Sequence, residues 1–344
     1  MMTANCELHA RAGEHLKNRV AAVLLLAVAL LASLGWTAES WGQAKLARVG
    51  ILNYGATTDD EAKQWVEPFR RKLADQGWIE GRRVAFEYRR AVGDPSKLAE
   101  AAAELVRLKV DVIYADSAPA VRAARAATST IPIVAQDLTT DPIAEGYIES
   151  YGRPGRNITG VFLDAPGFSG KWIELLKAIV PGLSRAGVLW DPSPGPAHLQ
   201  VVKALARSSG LQLQVIEVTK PADLAKAFSA FRGRPQALII LPSPMMYIQS
   251  EQLARLTLKH RLPATSMAPA FADAGGVIAY GPEDSPLDER CAALVAKILG
   301  GAKPADLPVE RPTKFKLIVN QKTAKALGLT IPQSIMLQAD EVIR

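Results

Sequence analysis

Four aspartates stand in loops just past short apolar runs: Asp116 after Val112–Tyr114, Asp141 after Ile133–Ala135, Asp164 after Ile158–Phe162 and Asp191 after Arg185–Trp190. A carboxylate at such a place can cap the turn or helix that follows. Four in equivalent places can also converge on one pocket and take up an ammonium or hydroxyl groups. Ser117 stands ahead of Ala118-Pro119, and Thr140 ahead of Asp141-Pro142. Both patterns fit a helix N-terminus, whose unpaired N–H groups could hold a ligand carboxylate. Tyr54, Trp190, Tyr247 and Tyr280 lie near strand ends, where a ring can stack on an apolar ligand group or pack the interior of its own lobe. The chemistry this set supports is the holding of an amino acid or another small polar metabolite.

Covalent chemistry finds no comparable support. Gly167-Phe168-Ser169-Gly170-Lys171 lacks the G-x-S-x-G spacing of a nucleophile elbow and has no strand leading directly into it. As a phosphate-binding loop it fails too, with Ala165 in place of the first Gly and Trp172 where Ser or Thr must meet magnesium. No G-x-G-x-x-G turn follows the first strand. His198 and His260 are isolated and read as surface or helix-end residues rather than metal ligands. Neither catalysis nor a cofactor nor a metal is expected.

The elements that must position the loops alternate regularly. Arg48–Asn53, Val84–Tyr88, Val112–Tyr114, Ile133–Ala135 and Ile158–Phe162 read as strands. Between them, helices are expected over Asp60–Gln76, with Pro68 kinking it or marking its true start, over Asp94–Leu108, and in a short piece near Ile143–Glu149. A second series follows from Phe168. Strands Arg185–Trp190, Leu213–Val218, Ala237–Leu241, Pro263–Thr265 and Val277–Tyr280 alternate with helices over Pro196–Ser209, Pro221–Arg232 and Tyr247–His260. The Pro-rich stretch Gly300–Pro312 is a surface connection, and strand Phe315–Val319 with helix Gln321–Leu327 closes the fold. This is an α/β protein with doubly wound parallel sheets, and ligands in such folds sit at the carboxyl ends of the strands.

Lys17 and Arg19 precede the apolar run Val20–Leu34, which has the length of a signal-peptide core and is short for a membrane span. Residues 1–44 are therefore read as a cleaved signal peptide, with cleavage between Trp41 and Lys45, and the mature protein as periplasmic. No Cys follows the run to support a lipid anchor. Cys6 falls in the leader, and Cys291 shares a helical stripe with Leu287, Leu294, Val295 and Ile298, as a buried thiol would. The net charge of +7 survives cleavage, since the leader holds as many acidic as basic residues. The basic residues are scattered without aromatic interleaving, which argues against nucleic acid.

Read in order, GWIEGRRVAFEYR, AAELVRLKVDVIYA, ATSTIPIV, RPGRNITGV, GKWIELLKAIVPGL, VLWDP, AGGVIAYGP, KILGGAKPADLPVERPTKFKLIVNQKTAKALGL and ADEVI resemble the exported substrate-binding proteins of ABC transporters, in the group that includes TrpX-like tryptophan-binding proteins. The resemblance runs from Arg48 to Ile343. It implies the type 1 periplasmic-binding-protein fold, two Rossmann-like lobes joined by crossing strands with a ligand in the central cleft. Lobe boundaries would fall at 45–162 with about 282–312, and at 163–281 with about 313–344. It also implies a small-molecule ligand, delivery to an ABC permease in the inner membrane, and a monomer. Carried over by position, the family's cleft loops fall on Tyr54-Gly55-Ala56, Ser117-Ala118, Thr140-Asp141-Pro142, the loop after Leu163 that holds Asp164, Asp191 and Ser243. Many members have Asn at the place of Asp191, Asp at that of Ser243 and Gly-Thr-Pro at Asp116–Pro119. Asp141 and Asp191 are expected to face the cleft from opposite lobes, with Asp116 and Tyr280 also at the ligand. A sensory receptor acting on a signalling partner is the alternative, which a neighbouring permease gene would separate.

Overall fold

Five of the apolar runs pair side by side, all in parallel. In the computed structural model, which describes residues 46–55, 66–91, 94–163 and 165–344, the strands β1 (Ala47–Tyr54), β2 (Val84–Ala91), β3 (Val112–Ala115), β4 (Ile133–Asp137) and β5 (Ile158–Phe162) form a sheet in the order β2-β1-β3-β4-β5. β3 and β5 are buried along their whole length, as their largely apolar sequences require of strands covered on both faces. Helices α1 (Glu67–Asp75), α2 (Pro95–Arg107) and α3 (Ala118–Ala127) cross between them. Asp94 caps α2 by accepting from Ser96 N at 3.0 Å. Pro68 sits in the first described turn of α1, where it starts a helix rather than bending one. The part of the expected Asp60–Gln76 helix before residue 66 lies outside the described residues, as do the whole leader and its cleavage sites.

The second sheet contains β6 (Arg185–Trp190), β7 (Gln212–Glu217), β8 (Ala237–Ile240), β9 (Ala264–Ser266), β10 (Ile278–Pro282), β11 (Phe315–Asn320) and β12 (Glu341–Ile343), in the order β12-β11-β10-β9-β8-β6-β7. Its pairs are parallel except β10 with β11. Helices α4 (Ala165–Ile179), α5 (Ala197–Ser208), α6 (Leu224–Ala230), α7 (Pro244–Ile248), α8 (Ser250–Lys259) and α9 (Pro269–Asp273) belong to this half. The single helix expected over Tyr247–His260 is two helices, α7 and α8, which meet at Gln249, and the first begins early because Ser243 caps Met246 N at 3.1 Å.

The chain passes between the two halves after Phe162, after Pro282 and between Glu310 and Phe315. Following β10, helix α10 (Asp284–Leu299) packs back against α1, β3, β4 and β5. The segment beyond it is tied to β5, with Glu310 N donating to Gly160 O at 2.9 Å and Phe162 N to Glu310 O at 3.0 Å. Gly160, at φ 148°, allows β4 to approach closely, since any Cβ there would collide with the Ala135 carbonyl oxygen. Helices α11 (Gln321–Ala326) and α12 (Gln333–Gln338) and strand β12 complete the second half.

Three expectations need correcting. Ile143–Glu149 is a run of turns, because Gly146 takes φ 67° and reverses the chain. The fold does not close at Leu327, since α12 and β12 follow, both too short to leave a periodic signal. His198 is at a helix end, the second residue of α5, but is buried at 4 % exposure rather than on the surface. Cys291 lies fully buried in the core between α10 and the first sheet, where burial pushes its thiol pKa well up.

Candidate functional site

Between the two sheets, at the carboxyl ends of their strands, lies a cavity of about 390 Å³. Its first wall comes from the end of β1 (Tyr54), from β3 and its loop (Tyr114, Asp116, Ser117, Ala118), and from β4 and its loop (Gln136, Leu138, Thr139). Its second wall comes from the loop after β8 (Pro242, Ser243, Pro244, with Met246 and Tyr247 of α7) and from the end of β9 (Ser266, Met267, Ala268). Val66 and Pro68 close one side, and Asp288 of α10 reaches in from beneath. Most of these side chains are apolar, and the methionines can repack around ligands of differing shape.

The floor is held by a buried aromatic. Tyr114 stacks on Phe69, with centroids 4.4 Å apart and an interplanar angle of 3°. Its hydroxyl donates to Gln136 Oε1 at 2.7 Å and lies 3.3 Å from Asp288 Oδ1. Burial raises its pKa well above the usual phenol value, with Asp288 adding to the effect.

Asp116 follows β3 directly. One carboxylate oxygen, Oδ2, accepts from the Asn53 amide on β1. The other, Oδ1, is sealed from solvent and has no hydrogen-bond partner. Burial raises the Asp116 pKa to about 6, against the opposing pull of the Asn53 amide and the Tyr54 N–H. Ser117 occupies the N-cap position of α3 in an extended conformation, yet its buried hydroxyl makes no capping bond and instead helps to hold the Asp116 pKa down.

The other predicted site residues lie in the expected loops but do not line this cavity. Asp141 is exposed, and its Oδ1 accepts from Ile143 N at 2.9 Å and Ala144 N at 3.2 Å, capping its own turn. Thr140 donates its hydroxyl to Asp137 Oδ2. Asp191 is buried, and its two oxygens accept from Ser193 N and Ser193 Oγ, each at 2.9 Å. Asp191 therefore shapes the loop behind Tyr54, whose hydroxyl pKa is raised by burial and then by this carboxylate. Tyr280 is stacked in the second core on Phe168 (5.1 Å, 15°) and Phe315 (6.0 Å, 22°). Gly55 follows β1 outside the lining. Ala56 and Asp164 lie outside the described residues. Tyr54, Asp116, Ser117, Ala118 and Ser243 are the predicted residues brought together at the cavity, with Tyr247 beside them.

Sequence reasoning passed over several residues that build the site. Asp137 is fully buried and gathers Thr139 N at 2.9 Å, Thr139 Oγ1 at 3.0 Å and Thr140 N at 3.1 Å, which fixes the loop after β4. Its spacing to the two threonines is the signal that could have found it. Arg122 on α3 reaches across to the opposite lobe, where Nη1 donates to Pro194 O at 3.0 Å and Nη2 to Ser193 O. His198 on α5 makes a second tie. Its Nε2–H donates to Leu138 O at 3.0 Å, and Nδ1 accepts from Ser169 Oγ at 2.8 Å. The carbonyl can only accept, which sets the tautomer. Ser169 and His198 are thus a buried structural pair. Among the described residues, no group of three or more His, Cys, Asp or Glu is placed to hold a metal ion.

Comparison with known proteins bears on this arrangement. A family model described as ABC transporter substrate binding protein matches residues 57–343. The tyrosine-binding protein of Clostridioides difficile (strain R20291) is 25% identical over 274 residues, spanning 78% of this chain and 77% of that protein. Among solved structures, an ABC domain in complex with L-Trp from Streptococcus pneumonia aligns at a TM-score of 0.78 and 24% identity, over 87% of this chain and 100% of that one. A conserved domain protein from Vibrio cholerae aligns at 0.77 and 25% identity, over 87% and 100%. The fold is the two-lobed α/β fold of type 1 periplasmic binding proteins.

Proposed function

Because the chain belongs to the ABC transporter substrate-binding protein family, we propose that it is an exported receptor that closes on a small polar solute between its lobes and delivers it to an inner-membrane ABC permease. The observation that carries the reading is the cavity itself, lined from both sheets and sized for one small molecule. A ligand that touches both walls favours the closed state over the open one, which is what couples binding to delivery. The lobes are taken as 45–162 with 282–312 and 163–281 with 313–344, hinged where the chain passes between the sheets. The family is one of binding proteins, and the cavity's chemistry is that of holding.

An amino acid is the ligand class we favour, with tyrosine as the first compound to test given the curated relative's name. The cavity is mainly apolar, with polar side chains on both walls, among them Asp116 and Ser117 on one and Ser243 and Ser266 on the other. We take Tyr54, Asp116, Ser117, Ala118 and Ser243 as ligand contacts, and the mature protein as a periplasmic monomer. Among the described residues no helix is long and apolar enough to cross a membrane.

The test is native mass spectrometry of the protein purified from its own periplasm, joined to a thermal-shift screen of amino acids, aromatic acids and polyols. A bound small molecule should be weighed directly. A compound present at about a hundred times its Kd should add roughly 2.7 kcal/mol to stability. If no metabolite is retained and none moves the melt, the receptor reading is wrong.

A further inference from the structure

The basic residues are dispersed along the sequence, yet the fold gathers six of them on one edge. In the second half, the turns that feed β6, β7, β8 and β9 lie at the amino ends of parallel strands, on the side away from the cavity. They carry Arg185 at the head of β6, Arg207 in the last turn of α5 ahead of β7, Arg232 and Arg234 ahead of β8, and Lys259 and Arg261 at the end of α8 ahead of β9. Backbone bonds keep these turns in register, with Gln236 N donating to Arg185 O at 3.0 Å and Leu238 N to Pro263 O at 2.8 Å. Four neighbouring strands about 4.8 Å apart spread the edge over about 14 Å. Charges on it therefore lie within or close to one Debye length, about 10 Å at 0.1 M salt.

All six residues are exposed, and among the described residues none of them takes part in an ion pair. Elsewhere cations are matched, as Arg70 is by Glu67 and Glu80, Arg89 by Glu104 and Lys316 by Glu341. Asp273, at the end of α9, is the acidic residue that shares the edge, and it stands beyond β9. Arg234 and Arg261 take φ 45° and 54°, a left-handed conformation in which glycine would be unstrained. The edge thus carries charge at two places where the backbone favours no side chain at all. Leu258, 43 % exposed, points outward beside Lys259. Phe228, Phe231 and His260 pack on one another behind the edge, so among the described residues it offers no ring for bases to stack on. An outward leucine among cations suits the headgroup region of a bilayer.

We propose that this edge is a docking surface for anionic phospholipid headgroups, which holds the protein against a membrane by the end of its second sheet. The attraction is electrostatic, so it weakens as salt screens it. The edge lies at the opposite ends of the strands from the cavity, so lipid and solute do not compete.

The experiment is co-sedimentation of the protein, purified from its own periplasm, with vesicles of phosphatidylglycerol and phosphatidylcholine in equal amounts. Binding is expected at low salt, with release in about 0.5 M sodium chloride and none to phosphatidylcholine alone. Arg185→Glu, Arg234→Glu and Arg261→Glu together should weaken binding at least about tenfold. A control of equal net charge, Lys97→Glu with Lys297→Glu and Lys303→Glu, alters exposed residues of the first half. It should stay within about threefold of wild type. Should the triple arginine variant fail to fold, Arg185→Gln, Arg234→Gln and Arg261→Gln together carry the comparison. No binding to the mixed vesicles, equal binding to phosphatidylcholine alone, equal losses in the variant and its control, or capture of a single-stranded oligonucleotide but not of vesicles would overturn the inference. Each of those results leaves the receptor reading intact, because the solute screen tests that separately.

Discussion

Asp116 and His198 are both titratable, both shifted by burial, and shifted in ways that have opposite consequences. The Asp116 pKa is raised to about 6 by burial. The Asn53 amide, the Tyr54 and Asp116 backbone N–H groups and the Ser117 hydroxyl act against that rise, and the nearby Tyr114 hydroxyl, itself raised by burial, stays neutral. The ionised share of Asp116 falls from about nine-tenths at pH 7 to about one-tenth at pH 5. Its folded-state pKa lies above its unfolded value, so the stability it contributes is present at low pH and lost as pH rises through 6. For this reason Asp116→Asn should raise the ligand-free melting temperature at pH 7. His198 is held down to about 4 by burial, against the opposing bond to Leu138 O. Its contribution is present above about pH 6.5 and is lost as pH falls toward 4, up to about 3 kcal/mol. Denaturant midpoints between pH 7 and 4.5 should fall more steeply for wild type than for His198→Gln. Parallel slopes would mean that the imidazole is not the buried neutral tie described above.

The cleft loops differ in what they bond to, and their local bonding separates residues that cap their own turns from residues that line the cavity. Asp141 caps an exposed turn, so Asp141→Ala should cost about 1 kcal/mol of stability and leave ligand affinity within about twofold. Arg122 joins α3 to the Ser193–Pro194 carbonyls across the lobes. Removing these charge-assisted bonds with Arg122→Ala should disfavour the closed state by about 1–2 kcal/mol and weaken apparent affinity roughly five- to thirtyfold, with little change in the melt of the ligand-free protein. Calorimetry on both variants tests this pair of expectations, and an Asp141→Ala protein that loses binding would reverse the assignment. Much of this was legible beforehand. Strands ending in Asp-Ser and in Ser-Pro announced the loops of Asp116 and Ser243, because buried parallel strands must empty into polar turns. Which oxygens those turns consume was not legible. Asp is equally suited to capping its own turn and to facing a ligand, and Asp141 and Asp191 do the first.

Across the whole molecule, the alternation of strands and helices and the two-sheet architecture follow from the sequence pattern. The route by which α10 returns to the first sheet does not. Asp288 reaches the cavity only because the chain crosses back after β10, and Gln136 and Met267 meet there only because β4 and β9 end at opposite walls. Such long-range placement leaves no local signature. Leu138 shows how closely the halves are linked, since it packs against clusters from both sheets while its carbonyl receives His198. The central claim is that the lobes are rigid bodies that close around a solute bound between them. Small-angle scattering of the mature protein, titrated with L-tyrosine or with the metabolite that native mass spectrometry identifies, tests it most directly. The radius of gyration should shrink in step with calorimetric saturation, and less so in Arg122→Ala at equal concentration. A saturated receptor whose scattering curve is the same as that of the ligand-free protein would contradict the account.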